Sequence, residues 1–212
     1  MRFYLSSHGI GNQPGKLASL FGKELRVAII LNARDDLSAA DRENGLGEQV
    51  GKLRNIGIES EELDLRRFTN PMSLQSELSQ YRGVWVPGGN AFLLRRAMYD
   101  SGFDKIIGGL LESDDFVYAG YSAGIVILGN TMRGLELVDD ATAVRRTYGS
   151  NIVWDGLKLI DHFIVPHFRS DHPESSAIEK MVDYFRKEEI PYETIRDGEA
   201  ILINNTTREL LT

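Results

Sequence analysis

Residues 116–128 read FVYAGYSAGIVIL, an apolar run broken at its centre by Gly-Tyr-Ser-Ala-Gly. The first half, Phe116–Gly120, lacks polar alternation, the mark of a strand buried on both faces. The second half reads as the start of a helix behind a tight turn. Strand, sharp turn and helix make up the repeating unit of a parallel α/β sheet. The same pattern recurs on either side of this stretch. Arg2–Ser6, Val27–Asn32, Ile58–Leu65, Val84–Pro87, Leu157–Val165 and Ala200–Asn204 are further strand candidates. Between them, residues 38–56 place Leu46, Val50 and Leu53 at helical spacing, with Gly57 as the stop. Over residues 173–190, Ile178, Met181, Val182 and Phe185 follow the i, i+3, i+4, i+7 rule, with Asp171 or His172 as the cap. These elements predict a mostly parallel sheet with helices on both faces, in one domain spanning residues 1–212. Residues 130–154 mix glycine, charge and apolar side chains and are read as a hairpin or a lid.

Composition narrows the function classes. The 212 residues are 42% hydrophobic and 26% charged, enough to bury a full core. With 31 acidic against 24 basic residues, the net charge of -7 argues against nucleic acid, which needs a clustered basic stripe. Arg66-Arg67 is too short to serve as one. The absence of cysteine excludes disulfides, thiolate metal sites and a cysteine nucleophile. The opening MRFYLSSHGIGNQPGK lacks a secretory pattern, and no apolar stretch approaches the roughly 20 residues that span a bilayer. The expectation is a cytoplasmic protein without membrane partners.

In a parallel sheet, ligands meet the loops at the C-terminal strand ends. Ser122 lies at such an end, with Gly120 and Gly124 flanking it in the G-x-S-x-G pattern of a nucleophile elbow. The turn must be strained to lift the hydroxyl above the sheet, and bulky neighbours would clash with adjacent backbone. The Ala123 N–H then points where an oxyanion would form. Glycines that merely let a strand pack on a helix would give the same pattern. A second turn of this kind lies in GVWVPGGNAFLL, residues 83–94. There Gly89, or alternatively Gly88, could supply another oxyanion donor, and Asn90 is a good cap for the next helix. Neither a Walker nor a dinucleotide fingerprint accompanies it.

A serine hydroxyl needs an oriented base. Of His8, His162, His167 and His172, only His167 ends an apolar run inside a stiffening Pro-His-Phe turn. His8 follows the first strand and could line the same cleft, whereas His162 belongs toward the opposite end of the sheet. Asp197 and Glu199 lie in a turn before the last strong strand. On residues alone that Asp-Gly turn reads as two solvated carboxylates.

The order of VPGGNAFLL, AGYSAGIVIL, IVPHF and RDGEAIL resembles the peptidase E family of serine peptidases. Its members include α-aspartyl dipeptidase and, more distantly, cyanophycinase. α/β-Hydrolases, with the order Ser, acid, His, match less well. The resemblance covers most of the chain and implies a class I glutamine amidotransferase-like fold, with serine in place of the cysteine of those enzymes. It carries the nucleophile to Ser122, the general base to His167, and the oxyanion donors to Gly89 and Ala123. The acid falls on Asp197, where several members have Glu, so Glu199 remains the alternative. The implied activity is hydrolysis of small peptides, with preference for an N-terminal Asp, through a covalent acyl-enzyme and without cofactor or metal. Arg169, Asn90 and the pair Arg145-Arg146 are candidates for holding the substrate, the arginines as partners for a carboxylate. An esterase, a cyanophycin-cleaving enzyme and a non-enzymatic ligand-binding domain are the competing readings. A homo-oligomer is compatible with all of them.

Overall fold

The computed structural model describes residues 1–22, 26–113 and 115–212. In chain order its elements are β1 (Arg2–Ser6), α1 (Pro14–Phe21), β2 (Arg26–Ile29), α2 (Ala39–Arg54), β3 (Glu59–Glu62), α3 (Pro71–Leu78), β4 (Gly83–Val86), α4 (Ala91–Ser101), α5 (Phe103–Glu112), β5 (Val117–Tyr121), α6 (Ala123–Val126), α7 (Ala143–Tyr148), β6 (Phe163–Val165), α8 (Ser175–Lys187), β7 (Tyr192–Thr194), β8 (Ala200–Asn204) and β9 (Thr207–Leu211).

Among the described residues, seven strands form one sheet in the order β3-β2-β4-β5-β1-β8-β9. The five through β1 are parallel, and β8 and β9 close the edge antiparallel. Side chains alternate across the sheet as the strand period requires. Phe3, Leu5, Val84 and Val86 point into a core shared with α4 and α8, while Tyr4, Trp85, Val117 and Ala119 face α1 and α2 on the other side. The central strands are apolar on both faces because both faces are covered.

The helix boundaries have local causes. The Ser38 hydroxyl accepts from the Asp41 N–H to open α2, and Gly57, at φ 79°, turns the chain after its end. Asn90 caps α4 by accepting from the N–H groups of Phe92 and Leu93.

Three expectations need correction, and one strand was not anticipated. Only Phe163–Val165 of the run from Leu157 is strand, and it pairs in parallel with β7 in a separate two-stranded ribbon, not in the main sheet. Residues 130–154 form no hairpin. They hold a 3-10 turn at Leu135–Leu137 and helix α7, closed by an isolated bridge between Thr131 and Asp155. Helix α8 begins at Ser175 with Glu174 before it, so neither Asp171 nor His172 is its cap residue; the His172 ring instead accepts from the Glu174 N–H at 3.2 Å. Strand β9 has the sequence TRELL, too polar to stand out in an apolarity search. No described helix is long and apolar enough to cross a membrane.

Candidate active site

The register of the sheet brings the site together. Ser6 pairs with Tyr121 on one side and Ala200 on the other, so Ser7, Ser122 and Glu199 leave the sheet at one edge. Because β8 runs antiparallel, it starts where the parallel strands finish. The ribbon delivers the remaining groups: His167 follows β6 and Asp197 follows β7, with the Ile195 N–H bonded to the Val165 carbonyl between them.

Ser122 has φ 49° and ψ -117°, the strained conformation of an elbow. The flanking glycines explain how the chain holds it. A Cβ on Gly120 or Gly124 would lie 2.5 or 2.1 Å from the Val86 carbonyl oxygen, so only hydrogen fits where β5 and α6 pass β4. The next turn is as tight. Gly89 sits at φ 149°, and a Cβ there would meet the Ala33 carbonyl oxygen at 2.5 Å. Gly88 lies directly against Ser122. The Ala123 N–H opens α6, where an amide has no acceptor within its own helix.

His167 is buried, 1% exposed, with its backbone in the left-handed region at φ 59°. Its Nδ1 lies 2.7 Å from Asp197 Oδ1. The same carboxylate oxygen accepts from the Ser7 hydroxyl at 2.7 Å, and the Ser7 oxygen accepts from the His167 backbone N–H at 2.8 Å. Ser170 adds a bond from the Asp197 N–H to its hydroxyl oxygen. Ser7 is fully buried and ties His167 and Asp197 into one unit. Glu199 is turned elsewhere, accepting from the Arg196 N–H at 2.7 Å within its own turn.

Burial works against ionisation of Asp197, but bonds from Ser7 and His167 outweigh it and hold the carboxyl below its ordinary range. Burial also lowers the His167 pKa, and the charge of Asp197 offsets this only in part. The imidazole is therefore neutral near pH 7, with a proton on Nδ1 for Asp197 and a lone pair on Nε2. Nε2 is buried and has no hydrogen-bond partner. No hydrogen bond joins it to Ser122, although both residues line one cleft of about 230 Å³ with His8, Arg34, Gly88, Gly89 and His172.

Asn90 spends its side chain on the α4 cap and on the Asp140 carbonyl. Arg169 is exposed beside Glu179, and Arg146 pairs with Asp140 at the surface. None of these side chains, nor Arg145, lines the cleft. A guanidinium the sequence did not single out, Arg34, does line it. Arg34 is half-buried, donates to the Gly88 carbonyl and the Tyr121 hydroxyl, and forms no salt bridge among the described residues, although its charge acts on Glu48 across the same cleft. Its position just past β2 was the available signal.

Behind Ser122 lies an apolar nook of about 20 Å³, room for one water, walled by Val126, Leu135, Met181 and Asp139. Burial pushes the Asp139 carboxyl up to about 7, although it accepts from the Ala91 N–H at 2.8 Å.

Residues 38–211 match the model of peptidase family S51. The chain belongs to that family. It is a peptidase of the serine class, with the fold that the ordered motifs implied. The curated protein Lmo0363 of Listeria monocytogenes, an uncharacterized peptidase, is 30% identical over 77% of this chain and 76% of its own. A related uncharacterized peptidase of Listeria innocua, Lin0382, is 26% identical over 74% and 72%. Among solved structures, a protein provisionally assigned as peptidase E from L. monocytogenes superposes with a TM-score of 0.76 at 21% identity, covering 99% of this chain and 97% of its own. A peptidase from an acI-B1 actinobacterium gives 0.73 at 16% identity, over 99% and 86%.

Proposed function

We propose that this S51 peptidase cleaves dipeptides or other small peptides through Ser122, His167 and Asp197. The observation that carries this reading is the Ser7–Asp197–His167 unit, which presents an unpartnered imidazole nitrogen to the cleft that also holds the strained Ser122. Ser122 Oγ attacks the peptide carbonyl as His167 Nε2 takes its proton, and the Gly89 and Ala123 N–H groups hold the oxyanion. His167 returns the proton to the leaving amine. Water, activated by the same nitrogen, then releases the acyl group. Catalytic hydrogen bonds are commonly long in a free enzyme and tighten when substrate excludes water, which fits the open Ser122–His167 gap.

Asp197, not Glu199, is the acid in this reading, because only its carboxylate touches the imidazole. Arg34 replaces the arginines singled out in the sequence as the group that holds a substrate carboxylate, in accord with a preference for N-terminal Asp. Hydrolysis of Asp-Leu, Leu-Leu, a nitrophenyl ester and cyanophycin, measured side by side with wild type and S122A, tests the proposal. Cleavage of Asp-Leu well above the others, lost in S122A, is expected. Ester or cyanophycin turnover without dipeptide cleavage would overturn it.

A further inference from the structure

The cleft gathers three of the four histidines of the chain. His8, His167, His172 and Asp197 each offer a ligating atom within 4.8 Å of every other. The rings of His167 and His172 are stacked with centroids 3.7 Å apart and 9° between planes. The His8 ring closes a third side at 5.8 Å from His167 and 5.6 Å from His172, steeply inclined to both. Sequence spacing gives no hint of this set, because its members follow β1, β6 and β7.

We propose that these three histidines bind a divalent transition-metal ion of the zinc type, and that the bound ion holds the peptidase inactive. Neutral imidazoles are suited to such an ion, with metal–nitrogen distances of about 2.0–2.1 Å and neighbouring donors therefore roughly 3.3 Å apart in a tetrahedral shell. The stacked rings already stand near that separation. To aim both lone pairs at one ion they must splay at the nitrogen ends, and His8, which is exposed, must swing in. His167 Nε2 is the anchor, a buried donor with no partner to give up. Asp197, on its Nδ1 side, supplies the carboxylate that fixes the ring of a metal-bound histidine. Binding at His172 by either nitrogen costs the 3.2 Å bond from the Glu174 N–H. The other charges lining the cleft balance, Arg34 and Lys52 against Glu48 and Glu174, so the Asp197 carboxylate is left to favour a cation.

The consequence for catalysis rests on the proposed role of His167; the binding itself does not. With its lone pair on the ion, Nε2 cannot take the Ser122 proton. The test is calorimetric titration of Zn²⁺ into the full chain, backed by the absorption spectrum of the Co²⁺ form, for wild type, H8Q, H172Q and H162Q. One site with a dissociation constant on the order of micromolar is expected, weakened about tenfold or more in H8Q and in H172Q. His162 lies elsewhere, against Asp161 and Glu193, and H162Q should leave the affinity unchanged. Zn²⁺ should also slow fluorophosphonate labelling of Ser122 at least about tenfold, reversibly on chelation, with each variant compared against its own zinc-free rate. Absence of saturable binding, equal affinity in H8Q and H172Q, or loss of binding in H162Q would overturn the site. Tight binding that left labelling unchanged would overturn the inhibition. Normal zinc binding by a protein whose Ser122 never labels would instead sink the peptidase mechanism.

Discussion

The two walls of the cleft are built differently. Ser122 rises from β5 in the middle of the main sheet, and its turn is clamped by backbone, with Gly120 and Gly124 pressed on the Val86 carbonyl. His167 and Asp197 rise from a two-stranded ribbon outside that sheet and are held by side chains, chiefly a serine hydroxyl 190 positions from the aspartate. One wall is rigid through close packing. The other depends on a few charge-assisted hydrogen bonds that make or lose its geometry together.

The largest expected effect lies on the histidine wall. D197N should lower kcat about 10³–10⁴-fold with little change in stability, because an amide no longer favours the imidazole tautomer that serves the serine. Steady-state kinetics with the best dipeptide check this. On the serine wall, G124A should cost about 3 kcal/mol or more in urea unfolding, since a methyl group cannot share space with the Val86 carbonyl. A comparable loss of activity in G124A without loss of stability would erase the contrast between the walls.

Asp139 gives a pH-dependent version of the same contrast. Its carboxyl titrates at about 7 when folded and near 4 when unfolded, so its neutral form favours folding below pH 4. That contribution is lost as pH rises from about 4 through 7. D139N should therefore gain on wild type by roughly 2–4 kcal/mol between pH 4 and pH 8 in denaturant titrations. A pH-independent difference would show that the buried carboxyl does not carry this cost.

S7A sharpens the comparison further. It should reduce kcat about 10–100-fold with KM nearly unchanged, and shift the acidic limb of the pH–rate profile, because Asp197 loses a donor and His167 its backbone acceptor. A purely structural role would lower stability without moving that limb. The smallest effect belongs to E199Q, expected within about threefold of wild type, since its amide oxygen can still accept from the Arg196 N–H.

The same contrast separates what could be read in the sequence from what could not. The serine wall is local: strand, Gly-x-Ser-x-Gly and helix are contiguous, and the positive φ at Ser122 was implicit in that pattern. The parallel strands were legible because both faces are apolar. The histidine wall is assembled from residues 7, 167, 170 and 197, so Ser7 carried no motif of its own beyond its place after β1. The ribbon was misplaced because β6 is apolar like the central strands, while its partner, Tyr192–Thr194, is short and half-buried. Asp139 lies in residues 130–154, which offered no clean period from which to place it, and Arg34 sits in a short 3-10 turn just past β2 that no motif marks.

The most direct measurement is peptide mapping by mass spectrometry after reaction with a fluorophosphonate. A single adduct on Ser122, absent in S122A and formed far more slowly in D197N, is expected. An adduct on another residue, or an unmodified Ser122 in folded protein that still hydrolyses peptides, would contradict the proposed mechanism.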